Sequence, residues 1–320
     1  MGVHATKVVL LAAIAISFIV SLFQSQINPY FLQIIIYIGI NIILATSLNL
    51  INGYAGQFSL GHAGFMALGG YTGAVVSTTL GATPGGSSAV IILPLALVLG
   101  GIVAALAGLL VGIPSLRLRG DYLAITTLGF GEIIRVVIQN LDFLGGARGF
   151  TGIPKLTNFF WVFSVVSITV FVISNLVNSS YGKGFLAVRD DEIAAQAMGI
   201  NTTKYKVVAF VTGAFFAGVA GGLYAHFVSY INPQQFSFIR SIEIVVMVIV
   251  GGMGNTPGVI IAAALLTILP EALRPIAEYR MVIYSLSLVI IMITRPQGLF
   301  GRELSLRSLL GRLRKQAMPV

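Results

Sequence analysis

Apolar runs of about twenty residues, the length that crosses a bilayer core as a helix, follow one another along almost the whole chain and leave few folds open to it. Where water cannot reach the backbone, each N–H and C=O must be satisfied inside the protein, so runs of this kind fold as a bundle of spanning helices. They read as ten spans, at approximately 7–24, 30–52, 62–80, 88–113, 121–140, 158–178, 207–229, 237–250, 257–270 and 281–295. The third, fifth, eighth and ninth are short or carry polar residues. Hydrophobic residues make up 57% of the chain and charged residues 9%, against roughly a quarter charged in a soluble domain. The expected fold class is an all-α polytopic membrane protein, with a transmembrane domain over 1–300 and a basic cytoplasmic tail over 301–320.

The net charge of +9 would suggest nucleic acid for a soluble protein. Here the basic residues gather in a few connections and in the tail, as at a cytoplasmic membrane face, so nucleic acid is discounted. If the tail (Arg295, Arg302, Arg307, Arg312, Arg314, Lys315) is cytoplasmic, alternation places Lys7, Arg117, Arg119, Lys183, Arg189, Lys204 and Lys206 on the same side. Arg148, Lys155, Arg274 and Arg280 then lie outside, with Arg135 and Arg240 near the outer ends of spans. This satisfies the positive-inside bias and makes both termini cytoplasmic. Splitting the spans five and five gives two halves of opposite orientation, the arrangement of an inverted repeat. GATPGG at 81–86 and GNTPG at 254–258 fall in comparable places in the two halves, a match that arises readily by chance.

Residues 179–206, SSYGKGFLAVRDDEIAAQAMGINTTKYK, carry seven ionised side chains and are too polar for a bilayer core. Their centre, DDEIAAQAMG, is rich in helix formers and reads as one short helix outside the membrane. Gly213, Ala217, Gly221 and Ala225 recur every four residues, as do Ala104, Gly108 and Gly112. Small residues one turn apart let helix backbones approach closely in lipid, so these stripes read as scaffold. Residues 52–73 differ, mixing glycines with Asn52, Tyr54, Gln57, Ser59 and His62. Irregular backbone at membrane depth is tolerated only where protein buries it or it lines a wet cavity, which makes these five residues candidates for a translocation path. The alternative for the first half of this segment is an interfacial loop.

Two carboxylates lie well inside spans, Glu132 and Glu243, and each has an arginine three residues away, Arg135 and Arg240. That spacing puts each pair on one helix face, either as structural locks or as substrate or proton contacts. His62 and His226 read as hydrogen-bonded structural histidines, with a lone proton relay as the alternative for each. With no cysteine and no His/Asp/Glu cluster at ligand spacing, no metal site is expected. GKG at 182–184 lacks the other residues of a phosphate-binding loop, so the chain is not expected to hydrolyse ATP or to bind a cofactor.

SLNLINGYAGQFSLGHAGFMALGGY (47–71), PSLRLRGDYLAITTLGFGEIIR (114–135), FLAVRDDEIAAQAMGIN (185–201) and GGMGNTPG (251–258) together resemble the LivM-type permease of bacterial branched-chain amino acid ABC importers. The resemblance runs in consistent order over about 30–300. It implies the ABC importer permease fold in the inner membrane, a second permease of LivH type and a periplasmic amino-acid-binding protein. It also implies two cytoplasmic ATPases, which hold the ATP and Mg. Arg189, Asp190, Asp191, Glu192, Ala194, Ala195 and Gly199 match the segment by which such permeases dock on their ATPases. By this likeness the short helix would sit in an ATPase groove and act as a lever on spans six and seven. The tail beyond Gly301 has little of the family's pattern, and its basic amphipathic sequence suits anionic lipid.

Three other readings stand beside this one. A urea or short-amide importer permease would share most of the motifs. An ion-coupled transporter would use Glu132 or Glu243 as its ion site. An intramembrane enzyme would need a nucleophile with a base, or paired acids, and none is convincing.

Overall fold

The structure is a computed structural model, and it describes residues 3–26, 28–115, 118, 120–274, 279–294, 298 and 299. The basic tail, Arg117, Arg119 and Arg295 lie outside the described residues. The helices are α1 (Val3–Leu22), α2 (Pro29–Asn49), α3 (His62–Thr79), α4 (Ser87–Ser115), α5 (Asp121–Gln139), α6 (Phe159–Asn178), α7 (Ser180–Asp190), α8 (Glu192–Ala197), α9 (Thr202–Val228), α10 (Phe238–Gly251), α11 (Thr256–Ala272) and α12 (Arg280–Thr294). Short polar side chains set where several of them begin. The side chains of Asn28, Asn158, Asp191, Asn201 and Asn255 each accept from a backbone N–H of the first turn that follows, which satisfies donors that the helix itself cannot.

Each of the ten apolar segments coincides with a helix, but α9 begins at Thr202 rather than at 207, so Lys204 and Lys206 belong to it. Among the described residues five helical stretches are long and apolar enough to cross a membrane by length and composition: Pro29–Tyr54, Ser88–Ile113, Phe159–Asn178, Thr202–Val228 and Pro233–Gly251. The more polar α3 is held inside the protein, with its glycines, His62, Tyr71 and Ser77 buried, so its composition answers to protein neighbours and not to lipid. The short helix expected at the centre of 179–206 is α8, and a further helix that the sequence did not suggest, α7, precedes it. Asp191, in extended backbone, ends α7 and caps α8, taking hydrogen bonds from Ile193 N (2.9 Å) and Ala194 N (3.0 Å).

The core forms where α3, α4 and α9 cross. A methyl group on Gly100 of α4 would stand 2.7 Å from the carbonyl oxygen of Gly69 on α3, and one on Gly218 of α9 would stand 2.8 Å from that of Gly100. The three backbones therefore touch, an approach that only glycine permits, and dispersion between them holds the crossing together. The small-residue stripe of α9 extends the contact, with Ala217 and Ala225 buried. Its Gly213 lies on Ile51, and a methyl group on Gly108 of α4 would meet the Cβ of Ala214 at 2.7 Å. Beside this core α2 packs on α6, α9 and α11.

A candidate translocation and coupling site

At its end α2 loosens into a π-helical turn, Leu50–Tyr54, and the chain then runs without regular structure to His62. Borrowed hydrogen bonds hold this segment inside the protein. Asn52 braces it from within, its Oδ1 accepting from Ser59 N (3.1 Å), while Thr127 Oγ1 on α5 accepts from Leu60 N (3.0 Å). Ser241 Oγ on α10 accepts from Ala63 N at 3.1 Å. Ser47 Oγ meets both Leu44 O and His62 Nε2 at 2.9 Å, so the hydroxyl can give its proton to the carbonyl and accept from the ring. Asn52, Gln57, Ser59 and His62 are all buried, and Tyr54 is half-buried. Even so, Thr46 Oγ1, Asn49 Nδ2, Gln57 Oε1, Ser59 Oγ and His62 Nδ1 have no protein hydrogen-bond partner. Ordered water ordinarily satisfies buried polar groups of this kind, so the segment is polar enough to be hydrated.

The segment is fastened to the connection between α10 and α11. Gly254 N donates to Asn49 Oδ1 (2.8 Å), Tyr54 OH meets Thr256 Oγ1 (2.9 Å), and Thr256 N donates to Tyr54 OH (3.3 Å). Arg189, the penultimate residue of α7, reaches the same junction. Its stem packs on Gly56, and its Nη1 donates to Gly53 O at 3.4 Å. Its Nε and Nη2 donate to Asp190 Oδ1 at 3.0 and 2.7 Å. The likeness matched Arg189 to an ATPase contact; the fold also turns it inward onto the junction.

The remaining residues of the docking segment divide in the same way. Glu192 forms an ion pair with Lys206 of α9 at 2.7 Å, with only 5% of the lysine side chain exposed. Ala195 is buried against its own chain, whereas Ala194 and Ala197 are exposed, as are the apolar side chains of Ile193 and Met198. Gly199 ends α8 with φ +81°, a conformation that any other residue adopts only under strain. Tyr181 and Phe185 of α7 meet the Tyr205 ring of α9 at 4.6 and 5.7 Å. The three helices α7, α8 and the start of α9 are thus one packed unit.

Both glutamate–arginine pairs form. Glu132 accepts from Arg135 Nε at 2.7 Å, and its other oxygen accepts from Phe238 N at 3.1 Å, so it also caps α10. Arg240 Nη1 donates to Glu243 at 2.8 Å and its Nη2 to Asn41 Oδ1 at 2.6 Å. This second pair lines a cavity of about 560 Å³, walled by Tyr37 and Asn41 of α2, Tyr224 of α9 and Thr267 of α11. A smaller cavity of about 400 Å³ shares Tyr37 and Thr267 with it and contains Tyr30, Glu271 and Arg274. There Tyr30 OH donates to Glu271 at 2.5 Å, and the Arg274 guanidinium stands 5.2 Å from the Tyr30 ring centre. Neither cavity is lined by Asn52, Tyr54, Gln57, Ser59 or His62.

Several of these residues give no signal in sequence. Tyr37, Asn41 and Thr267 sit in apolar runs, and Gly53 and Gly254 look like ordinary turn glycines. Only the pairing of α2 with α10 and α11 gives them neighbours. Among the described residues no group of His, Asp and Glu could hold a metal.

Residues 30–293 match the family described as the branched-chain amino acid transport system permease component. The chain is 38% identical to the high-affinity branched-chain amino acid transport system permease protein LivM of Salmonella typhimurium and 37% identical to LivM of Escherichia coli. Each alignment covers 81% of this chain and 67% of the relative. It is also 28% identical, over 50% of its own length and 52% of the relative, to the permease protein LivH of Salmonella typhimurium. No solved structure matches. This chain belongs to the permease component family of branched-chain amino acid transport systems.

Proposed function

We propose that the chain is one permease subunit of an ATP-driven importer in a bacterial inner membrane, passing branched-chain, aliphatic amino acids delivered by a periplasmic binding protein. It has no ATPase site of its own. Two cytoplasmic ATPases hold ATP and Mg, and a second permease of LivH type completes the path. Likeness to both LivM and LivH supports a pair of related permeases. The chain makes ten spans in two inverted halves of five, with both termini facing the cytoplasm.

Contacts along α2 support this topology. Alternation makes α2 run inward and α11 outward, and the two meet in antiparallel register at Tyr30 with Glu271 and Asn41 with Thr267. Asn49 meets Gly254, just before α11. Arg189, placed in the cytoplasm by the charge count, touches the inner end of this series.

One observation carries the coupling: Arg189 bridges the docking helices to the junction of Gly53 with Gly254. The exposed face of α8 (Ile193, Ala194, Ala197 and Met198), with Asp190, Asp191 and Glu192 beside it, would rest on an ATPase. Closure of the ATPases on ATP would move α7, α8 and the start of α9 together, drawing Arg189 from Gly53 O. The irregular segment at Asn52, Gln57, Ser59 and His62 would then open inward. Glu132 is already bonded to Arg135 and to the start of α10, an arrangement that favours a lock over the ion site of a gradient-driven carrier.

The test is uptake of radiolabelled leucine by proteoliposomes holding the chain with its partner subunits and binding protein. Accumulation should require internal ATP and survive an ionophore. Accumulation of urea would change the substrate class, and gradient-driven uptake without ATP would overturn the reading.

A further inference from the structure

We propose that the cavity between α2, α10 and α11 is a built, low-affinity station for an amino acid in transit, with Arg240 taking the carboxylate and Glu243 the ammonium. The proposal rests on the importer reading and adds a substrate site to it. A guanidinium has five N–H donors. The described bonds of Arg240 use two of them, one to Asn41 Oδ1 and one to Glu243, so three remain on a side chain that lines an open cavity.

Asn41 is fixed in turn. Its Nδ2 donates to Thr267 Oγ1 at 2.8 Å, and that hydroxyl donates to Ala263 O. The guanidinium is thereby held to one orientation, which a carboxylate can meet through paired N–H groups. Glu243 keeps 42% of its side chain exposed, and the bond to Arg240 occupies only its Oε2. An ammonium group can therefore approach Oε1, with the Tyr37 and Tyr224 rings as further walls.

Met66, Met247 and Leu266 also line the cavity. Methionine adapts its shape to what it packs on, so this wall suits several branched aliphatic side chains rather than one. The volume of about 560 Å³ falls in the range of small-molecule sites. A lock would need only the ion pair. Spare donors, an exposed carboxylate, an orienting asparagine and an apolar wall in one chamber are what a zwitterion with an aliphatic side chain needs.

The chain has no cysteine, so Ser237→Cys places its only thiol on the cavity wall. The purified importer complex, its partner subunits freed of reactive cysteines, is labelled there with a methanethiosulfonate reagent without binding protein. Millimolar leucine should slow labelling. 4-Methylpentanoate, which lacks the amine, and 3-methylbutylamine, which lacks the carboxylate, should not. Glu243→Gln, which keeps an acceptor for Arg240, should raise the half-protecting leucine concentration about tenfold, as expected for a lost charge-assisted hydrogen bond.

Labelling indifferent to leucine, or slowed equally by the two analogues, would overturn the station. If the wild-type complex still accumulates leucine with ATP, that result removes the site and leaves the importer standing. Failure of wild-type uptake is the separate result that would sink the importer reading itself.

Discussion

Lys206 shows how closely this protein accounts for its charges. Its ammonium is almost wholly buried and meets Glu192 at 2.7 Å, while Thr202 Oγ1 lies 3.4 Å from the same carboxylate oxygen. Replacing the lysine takes from Glu192, itself only about a fifth exposed, the charge that it meets at 2.7 Å. Lys206→Met should therefore destabilise the α8–α9 corner by on the order of 3 kcal/mol, read as a lower thermal midpoint of the detergent-solubilised complex. An unchanged midpoint would mean that the pair contributes nothing. At the same corner Glu192→Lys would set two ammonium groups against each other inside the fold, so it would disturb folding as well as docking. Any side chain at Gly199 would strain the backbone, which has a positive φ there. Ile193 and Met198, exposed at 65% and 81%, are the better sites: Ile193→Asp should weaken recovery of the ATPases with the chain while leaving its amount in the membrane unchanged.

At the scale of elements, the crossing of α3, α4 and α9 positions everything else. Its three glycines leave no room for a side chain, and two of the crossing helices carry the site: α3 continues the irregular segment, and α9 carries the docking unit. Gly69→Leu should force the backbones apart at a cost of about 3 kcal/mol or more, so little mature protein would reach the membrane, as measured by blotting the membrane fraction. The conservative Gly69→Ala, which still overlaps Gly218, should fall between the two. Normal accumulation of the leucine variant would contradict the packing described here. The break at Asp191 is the second decisive element, because two short helices meeting at a capped corner can hold Arg189 inward and Ile193 outward at once.

For the whole molecule, the helices were legible because hydropathy is a local property, and each apolar run from 7–24 to 281–295 lies on one. The corner at Asp191 was legible in principle, since an Asp ahead of EIAA is a helix-start signal, yet the high helix propensity of the surrounding residues masked it. The pairing of Arg135 with Glu132 and Arg240 with Glu243 followed from their spacing on one helix face. The chamber did not, because Asn41, Tyr224, Arg240 and Thr267 are drawn together from four helices by tertiary packing. The reach of Arg189 to Gly53 was hidden for the same reason, being a contact between residues far apart in sequence.

The central claim is that motion of the docking helices opens the path through Arg189. It is tested most directly by measuring ATP hydrolysis and leucine accumulation in the same proteoliposomes, with wild-type chain and with Arg189→Ala. The account predicts that hydrolysis by the variant complex persists while accumulation per ATP falls clearly below that of wild type, because the tie from Arg189 to Gly53 is lost. Accumulation per ATP equal to wild type would contradict it.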